Sequence, residues 1–159
     1  MKKRLTMVIL LVLALVAACA VAFAEESAPP QDEISKNPDF SMVEWRQVLR
    51  SDEFSVIMGL ASLDKRSSTS VYIYGYTEAN QKASTVGGTV TLQQWKSNQW
   101  NNYYKINFNA YDSLSASGSG VVTVESGYYY RVVTTHKAMS YAGEQAPRKG
   151  MTTKSVYID

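Results

Sequence analysis

Apolar and polar residues alternate along much of the chain after residue 70, which is the pattern of β-strands with one buried face. Val71, Ile73 and Gly75, for example, alternate with three tyrosines. Strand candidates rich in Tyr, Val, Ile and Thr cover residues 54–63, 71–76, 89–93, 104–109, 122–124, 128–133 and 156–158. About seven short strands predict an all-β fold, namely an immunoglobulin-like two-sheet sandwich, with a small β-barrel as the alternative.

Polar residues between these strands predict the turns. Residues 65–68 and the Ser/Gly-rich residues 115–120 are typical of turns. If Ser97 and Asn98 form a two-residue turn, Trp95 and Trp100 lie opposite each other across a hairpin. Because Ser-Asn is not a favoured turn pair, a four-residue loop is the alternative.

A helical period precedes the strands. Ser41 followed by Glu44 matches a capping box. Apolar residues then recur at helical spacing, at Met42, Trp45, Val48 and Leu49. This pattern predicts a short helix over residues 42–50 that packs one apolar face on the β-domain.

The N-terminus has the composition of an export signal. A basic start is followed by an apolar run, and Ala22 and Ala24 place small residues where a signal peptidase reads. Residues 1–24 are therefore predicted to be a signal peptide, and the mature protein to be secreted, with membrane contact only during export. One alternative is a retained membrane helix. Another is lipidation of Cys19 in a lipobox-like sequence, which would anchor the protein at the cell surface.

The polar residues 25–40, which include three prolines, predict a flexible linker before a domain at residues 41–159. Removal of residues 1–24 also removes the only cysteine and changes the formal net charge from +2 to −1. Residues 25–64 carry nine acidic and three basic residues, whereas residues 65–159 carry five acidic and ten basic residues. This weak bias could favour anionic surfaces such as cell-wall polymers, but we interpret it as ordinary surface solvation. The basic residues are too scattered to predict a nucleic-acid partner.

Candidate catalytic groups are few. His136 is the only histidine, and we interpret it as a strand residue on a half-exposed face. A single histidine without cysteine is poor material for a metal site, and no serine lies in a nucleophile-elbow pattern. The sequence therefore predicts a non-enzymatic protein without metal or cofactor.

Tyrosine is the residue type most open to a functional interpretation. All eleven tyrosines lie between residues 72 and 157. If Val71 and Ile73 face the core, Tyr72, Tyr74 and Tyr76 form an outward row; the alternative is that the tyrosines face inward. Exposed aromatic rows bind sugars or protein partners. We therefore expect a binding or cell-surface interaction module for a protein or an envelope glycan. The alternative is a carbohydrate-binding module that uses the exposed tyrosines with Trp95 and Trp100.

Several short motifs together have a recognisable pattern. They are Val71-x-Ile73-x-Gly75-x-Thr77-x-Ala79, Val90-Thr91-Leu92-Gln93, Trp100, Gly127-Tyr128-Tyr129-Tyr130-Arg131-Val132 and His136. These motifs resemble an uncharacterised family of small secreted proteins from Gram-positive, Clostridia- and Bacillus-like bacteria. The resemblance covers residues 55–158 and implies a secreted β-sandwich without any assigned activity. Gly127-x-Tyr129-x-Arg131 also resembles the tyrosine-corner region of immunoglobulin folds, with arginine in the place of cysteine.

Overall fold

The computed structural model describes residues 27–48 and 53–159, in which almost all regular structure is β-strand. The strands are β1 (Phe40–Arg46), β2 (Val56–Ser67), β3 (Ser70–Lys96), β4 (Gln99–Thr123), β5 (Tyr128–Met139), β6 (Lys149–Thr152) and β7 (Val156–Ile158). A single 3₁₀ turn, Gln31–Glu33, precedes β1 in this part of the chain. The all-β fold class predicted from the sequence is confirmed.

Two very long strands organise the sheet. All seven strands of the described residues belong to one sheet, in which β3 pairs with β2, β4 and β5. Residues 70–79 of β3 pair with β2 on one side, whereas residues 85–94 pair with β5 on that side. β4 pairs with β3 along both parts. The β3–β4 hairpin therefore links a first half, with β1 and β2, to a second half, with β5, β6 and β7.

The sheet folds back on itself at the middle of this hairpin, so that it is nearly closed into a barrel. The β3–β4 ladder is interrupted between Glu78 and Ala83. On the opposite strand Asp112 has a φ of 49°, a left-handed conformation that bends the chain. β2 contacts β5, β6 and β7 across the interior. The inward-facing residues of both halves form one apolar core.

The two halves approach closely because glycines face large side chains. Gly75 and Gly118 are paired on neighbouring strands of the first half. A Cβ atom on Gly75 would lie 2.5 Å from Val90 Cγ2, and one on Gly118 would lie 2.7 Å from Phe108 Cβ. Neither position therefore has room for a side chain.

The predicted helix over residues 42–50 is wrong within the described residues, since β1 covers residues 40–46. β1 pairs with β2 in antiparallel register, and its residues Val43 and Trp45 pack against the core. Met42, which the helical pattern would bury, is 53% exposed. Pairing with the edge of β2 outweighs the local capping signal, because a capping box contributes only about 1 kcal/mol. Residues 49–52 lie outside the described residues.

Strand lengths differ from the prediction. Residues 71–76 and 89–93 are parts of one strand, β3, and residues 104–109 and 122–124 are parts of β4. The turn predicted at residues 115–120 is instead a stretch of β4 paired with β3. The immunoglobulin-like pair of sheets is not confirmed, because β3 and β4 run through both halves as a single sheet.

The predicted hairpin between the tryptophans is confirmed. Trp95 pairs with Trp100, and their ring centroids lie 5.2 Å apart. Ser97 and Asn98 have φ values of 56° and 58°, as in a type I′ turn. The turn predicted at residues 65–68 is shifted, since β2 continues to Ser67 and the turn to β3 lies at residues 68–69. The predicted signal peptide, residues 1–24 with Cys19, Ala22 and Ala24, lies outside the described residues.

The burial of β3 predicts different costs for neighbouring substitutions. Ile73 is fully buried, whereas Tyr72 and Tyr74 on the opposite face are only partly buried. Ile73→Ala should lower the free energy of unfolding by about 2–5 kcal/mol, the cost of a cavity in a packed core. Tyr72→Ser and Tyr74→Ser should each cost less than about 1 kcal/mol, the scale of a cross-strand pair. Urea unfolding of the three variants measures both, and a tolerated Ile73→Ala would contradict the observed orientation.

Candidate binding surfaces

Tyr72, Tyr74 and Tyr76 form a row on the outer face of the first half of the sheet. Each is partly buried, while Val71, Ile73 and Gly75 between them face the core. The predicted orientation of the row is therefore confirmed. Successive tyrosines are about 7 Å apart along the strand, since a strand rises about 3.3–3.4 Å per residue.

Neighbouring strands widen this aromatic row into a surface. The register places Phe40 and Met42 of β1 and Val121 of β4 on the same face, and all three are exposed. Ser117 and Ser119 of β4 lie opposite Tyr76 and Tyr74. We call this outer surface of the first half the tyrosine face. The sequence pattern did not reveal these partners, because their positions depend on strand register.

The tyrosines at the two ends of the row, Tyr72 and Tyr76, contact charged side chains. The guanidinium carbon of Arg66 lies 5.1 Å from the centre of the Tyr72 ring, which is a cation–π contact. The Tyr76 hydroxyl donates a hydrogen bond of 3.0 Å to the Glu78 carboxylate. Of the three tyrosines in the row, Tyr74 alone has neither a cation–π contact nor a side-chain hydrogen bond with the described residues. The middle of the row is therefore the most available for a ligand.

The structure places Trp95 and Trp100 elsewhere, on the outer face of the second half. Their rings meet edge to face at an interplanar angle of 64°. Because sugar-stacking platforms need coplanar exposed rings, the pair is poorly shaped for that role. The two tryptophans and the tyrosine row therefore do not form one surface.

The chain's own N-terminal segment covers this tryptophan pair. Trp100 Nε1 donates a hydrogen bond of 2.9 Å to the Glu33 carboxylate, and Arg131 forms a 3.0 Å ion pair with the same oxygen. Trp95 Nε1 donates to the carbonyl of Ser27. The Arg131 guanidinium also stacks on the Trp100 ring at 4.1 Å.

Backbone contacts continue this attachment beyond Glu33. Ser35 N–H donates to Ser155 O at 2.8 Å, and Ser155 N–H donates to Glu33 O at 2.6 Å. Pro29 is buried. Residues 27–35, part of the segment that the composition predicts as a flexible linker, thus pack along the second half of the sheet, and Asp39 O accepts a hydrogen bond from Lys65 N–H of β2.

A tyrosine does bond back to the chain before its strand, but it is Tyr130 rather than Tyr129. The Tyr130 hydroxyl donates to Glu125 O at 2.9 Å and accepts from Glu125 N–H at 3.1 Å. Gln94 Nε2 donates to the same oxygen at 2.8 Å. The burial of this hydroxyl raises the pKa of Tyr130 to about 12. Its role is to fix the β4–β5 connection.

His136 is fully buried, so its predicted half-exposed position is wrong. Nδ1 lies 2.8 Å from the Thr77 hydroxyl and Nε2 lies 2.8 Å from the Thr134 hydroxyl. Because the Thr77 hydroxyl donates to Gly87 O, it accepts from a protonated Nδ1. Desolvation keeps the ring neutral, so Nε2 accepts from the Thr134 hydroxyl and the ring links β3 to β5. Strand alternation could have indicated its burial, since Val132 and Thr134 share its face.

Metal and membrane features are absent from the described parts of the chain. Residues 27–48 and 53–159 contain no group of three or more His, Cys, Asp or Glu side chains arranged to hold a metal ion. Within the same ranges, no helix has the length and apolar character needed to cross a bilayer.

Comparisons with known proteins give little further information. No protein-family model and no curated protein matches the chain. A solved structure, that of the sporulation control protein Spo0M from Bacillus subtilis, is similar over 76% of this chain, with 9% identity and a TM-score of 0.35. The similar region covers 49% of that protein, so this chain spans about half its length. The resemblance to a secreted bacterial family stays a prediction.

The burial of His136 predicts an acid-sensitive stability. Desolvation lowers the pKa of His136 to about 4, from about 6.5 in an unfolded chain. Between these pH values the unfolded chain binds a proton that the folded protein does not, so stability is full above about pH 6.5 and falls toward pH 4. The loss should reach about 3 kcal/mol.

Urea unfolding between pH 4 and 7 measures this loss, with His136→Gln as the control. Glutamine can form hydrogen bonds with the threonine hydroxyls but does not titrate. The variant therefore loses the part of the pH dependence of the free energy of unfolding that comes from the histidine and keeps the part that comes from the carboxylates. Parallel pH profiles for the wild type and the variant would contradict the prediction.

Proposed function

We propose that this protein is an exported, non-enzymatic binding module and that its ligand surface is the tyrosine face. The observation that carries the proposal is the row formed by Tyr72, Tyr74 and Tyr76 on a four-stranded outer surface. Exposed Phe40, Met42 and Val121 extend this row on both sides. The register places Asp64 between Phe40 and Tyr72 and Ser62 between Met42 and Tyr74, so the surface mixes aromatic, apolar and polar side chains, as partly hydrated interaction sites do.

The partner proposed for this surface is a protein or glycan of the cell envelope. Export is supported by the basic start and the apolar run before Ala24, which have the composition of a signal peptide. The tyrosine rings present apolar faces with polar tips, and such side chains dominate interfaces that remain partly hydrated.

A carbohydrate ligand is the second candidate, on the tyrosine face rather than at the tryptophans. Ser117 and Ser119 lie beside Tyr76 and Tyr74, so hydroxyl groups flank the rings. This arrangement supports stacking of a sugar on Tyr74 with hydrogen bonds from the adjoining strand. Trp95 and Trp100 are less suited, since their indole N–H groups already bond to Ser27 and Glu33.

Substitution of the row tests the proposed surface. A Tyr72→Ser, Tyr74→Ser, Tyr76→Ser variant should bind isolated cell envelopes at least tenfold more weakly, because the aromatic contact area is lost. Tyr104→Ser is the matched control, since Tyr104 is 49% exposed on the other half of the sheet and should bind normally. Co-sedimentation measures the affinity, and protease-treated envelopes distinguish a protein from a glycan ligand. Equal binding by both variants would reject this surface.

Processing of the N-terminus tests the export part of the proposal. If the signal peptidase cleaves after Ala24, the secreted protein starts at Glu25. Intact-mass measurement of protein from the culture medium should give the mass of residues 25–159. A lipid-modified mass that starts at Cys19 would instead place the protein on a membrane surface.

A further inference from the structure

The outer face of the second half of the sheet has a different chemistry from the tyrosine face. Its strand segments, residues 85–96, 99–111, 128–139, 149–152 and 156–158, contain no Asp or Glu. The register instead places hydroxyl and amide side chains outward, at Thr85, Thr89, Thr91, Gln93, Asn102, Asn107, Asn109 and Thr135. Lys105 and Lys137 are exposed among them. We call this surface the basic face.

Three cations on or beside this face have no acidic partner among the described residues. Lys105, Lys137 and Arg148 are exposed and take part in none of the ion pairs there. Arg131, by contrast, is neutralised by Glu33 of the N-terminal segment. Lys154, which follows β6, is a further exposed cation in none of these ion pairs, so these four side chains supply the charge available to a ligand.

Two of these cations line the same cleft. Lys137 and Arg148 line an open cleft of about 190 Å³ together with Thr85, Met139 and Gln145. Asp112 at the nearby bend forms a 3.0 Å ion pair with Lys82 and accepts from the Tyr141 hydroxyl. Glu144, in the adjoining turn, does not line the cleft. The cleft therefore combines two positive charges with hydroxyl and amide donors.

We propose that the basic face binds a phosphodiester-linked polymer of the cell envelope, with one phosphate held between Lys137 and Arg148. Arginine and lysine are the usual phosphate partners. The guanidinium group of arginine forms paired hydrogen bonds to phosphate oxygens, and the ammonium group of lysine supplies a mobile point charge. Lys105 pairs with Thr91 of β3, and Lys137 pairs with Gly87 of the same strand. The Cα atoms of the two lysines are therefore about 16 Å apart, since they lie two strands apart and four residues apart along β3. The polymer runs across the threonine and asparagine side chains from the cleft to Lys105, where it meets a second phosphate.

This site is separate from the tyrosine face and does not depend on it. The two surfaces lie on opposite halves of the folded sheet, so a substitution on one leaves the other intact. Binding at the basic face is electrostatic. Its affinity should fall as the salt concentration rises, because salt screens charges beyond the Debye length, which is about 10 Å at 0.1 M ionic strength.

The test uses polyglycerol phosphate as the probe, with isothermal titration calorimetry of the full mature chain. The Lys105→Gln, Lys137→Gln, Arg148→Gln variant should bind at least tenfold more weakly than the wild type. Lys36→Gln removes one exposed charge from the N-terminal segment and should change affinity less than twofold. Lys137→Arg keeps the positive charge and should bind the probe as well as the wild type. If the triple variant does not fold, the single variant Lys137→Gln replaces it and should also bind more weakly than the wild type. The triple tyrosine variant should bind the probe normally.

Other results would overturn the proposal. It fails if the wild type does not bind polyglycerol phosphate, or if Lys36→Gln weakens binding as much as the triple variant, which would indicate only diffuse charge. Tighter binding of polygalacturonate would show a carboxylate polymer to be the ligand instead. Tighter binding of single-stranded DNA would identify a nucleic-acid surface.

Discussion

The close approach of the two halves of the sheet at Gly75 and Gly118 is the constraint on which the rest of the structure depends. Val90 and Phe108 occupy the space that side chains at these glycines would need. Since interiors are packed to nearly uniform density, larger residues here would push the halves apart. The long β3–β4 hairpin can fold back on itself because the first half has glycines where the second half has the large side chains of Val90 and Phe108.

The same close approach accounts for the polar groups in the core. Thr77 of the first half reaches His136 of the second half, and the ring also contacts Thr134. A Cβ atom on Gly59 of β2 would lie 3.0 Å from this ring. A buried polar group costs stability unless it is hydrogen-bonded, and here both ring nitrogens have partners. The histidine is therefore a structural link that contributes its full stabilisation only while it stays neutral.

Folding one sheet over on itself also separates two surfaces of different chemistry. The tyrosine face combines rings and apolar side chains with serine hydroxyls, whereas the strands of the basic face carry threonine, asparagine and lysine but no Asp or Glu. Residues 27–35 of the N-terminal segment pack against the second half, where Glu33 bonds to Trp100 and Arg131, whereas Asp39 accepts a hydrogen bond from Lys65 of β2. This segment covers the tryptophans but leaves the tyrosine row and the Lys137–Arg148 cleft uncovered.

The sequence by itself determined the fold class and the direction of the best-defined strand. Alternation places Ile73 inside and Tyr74 outside, because side chains of a strand point to opposite faces in turn. It also located the Trp95–Trp100 hairpin, since polar residues between facing aromatics are a local signal. Only the tertiary structure decided which strands are continuous, because Ser/Gly-rich residues 115–120 suit a turn or a close strand pair equally well. It likewise turned the Ser41–Glu44 pattern into a strand, since the edge of β2 supplies hydrogen bonds that the local sequence does not encode. Alternation in β5 indicates that His136 faces inward, but its contact with Thr77 and the shape of both outer faces depend on register and packing between distant strands, which no local pattern specifies.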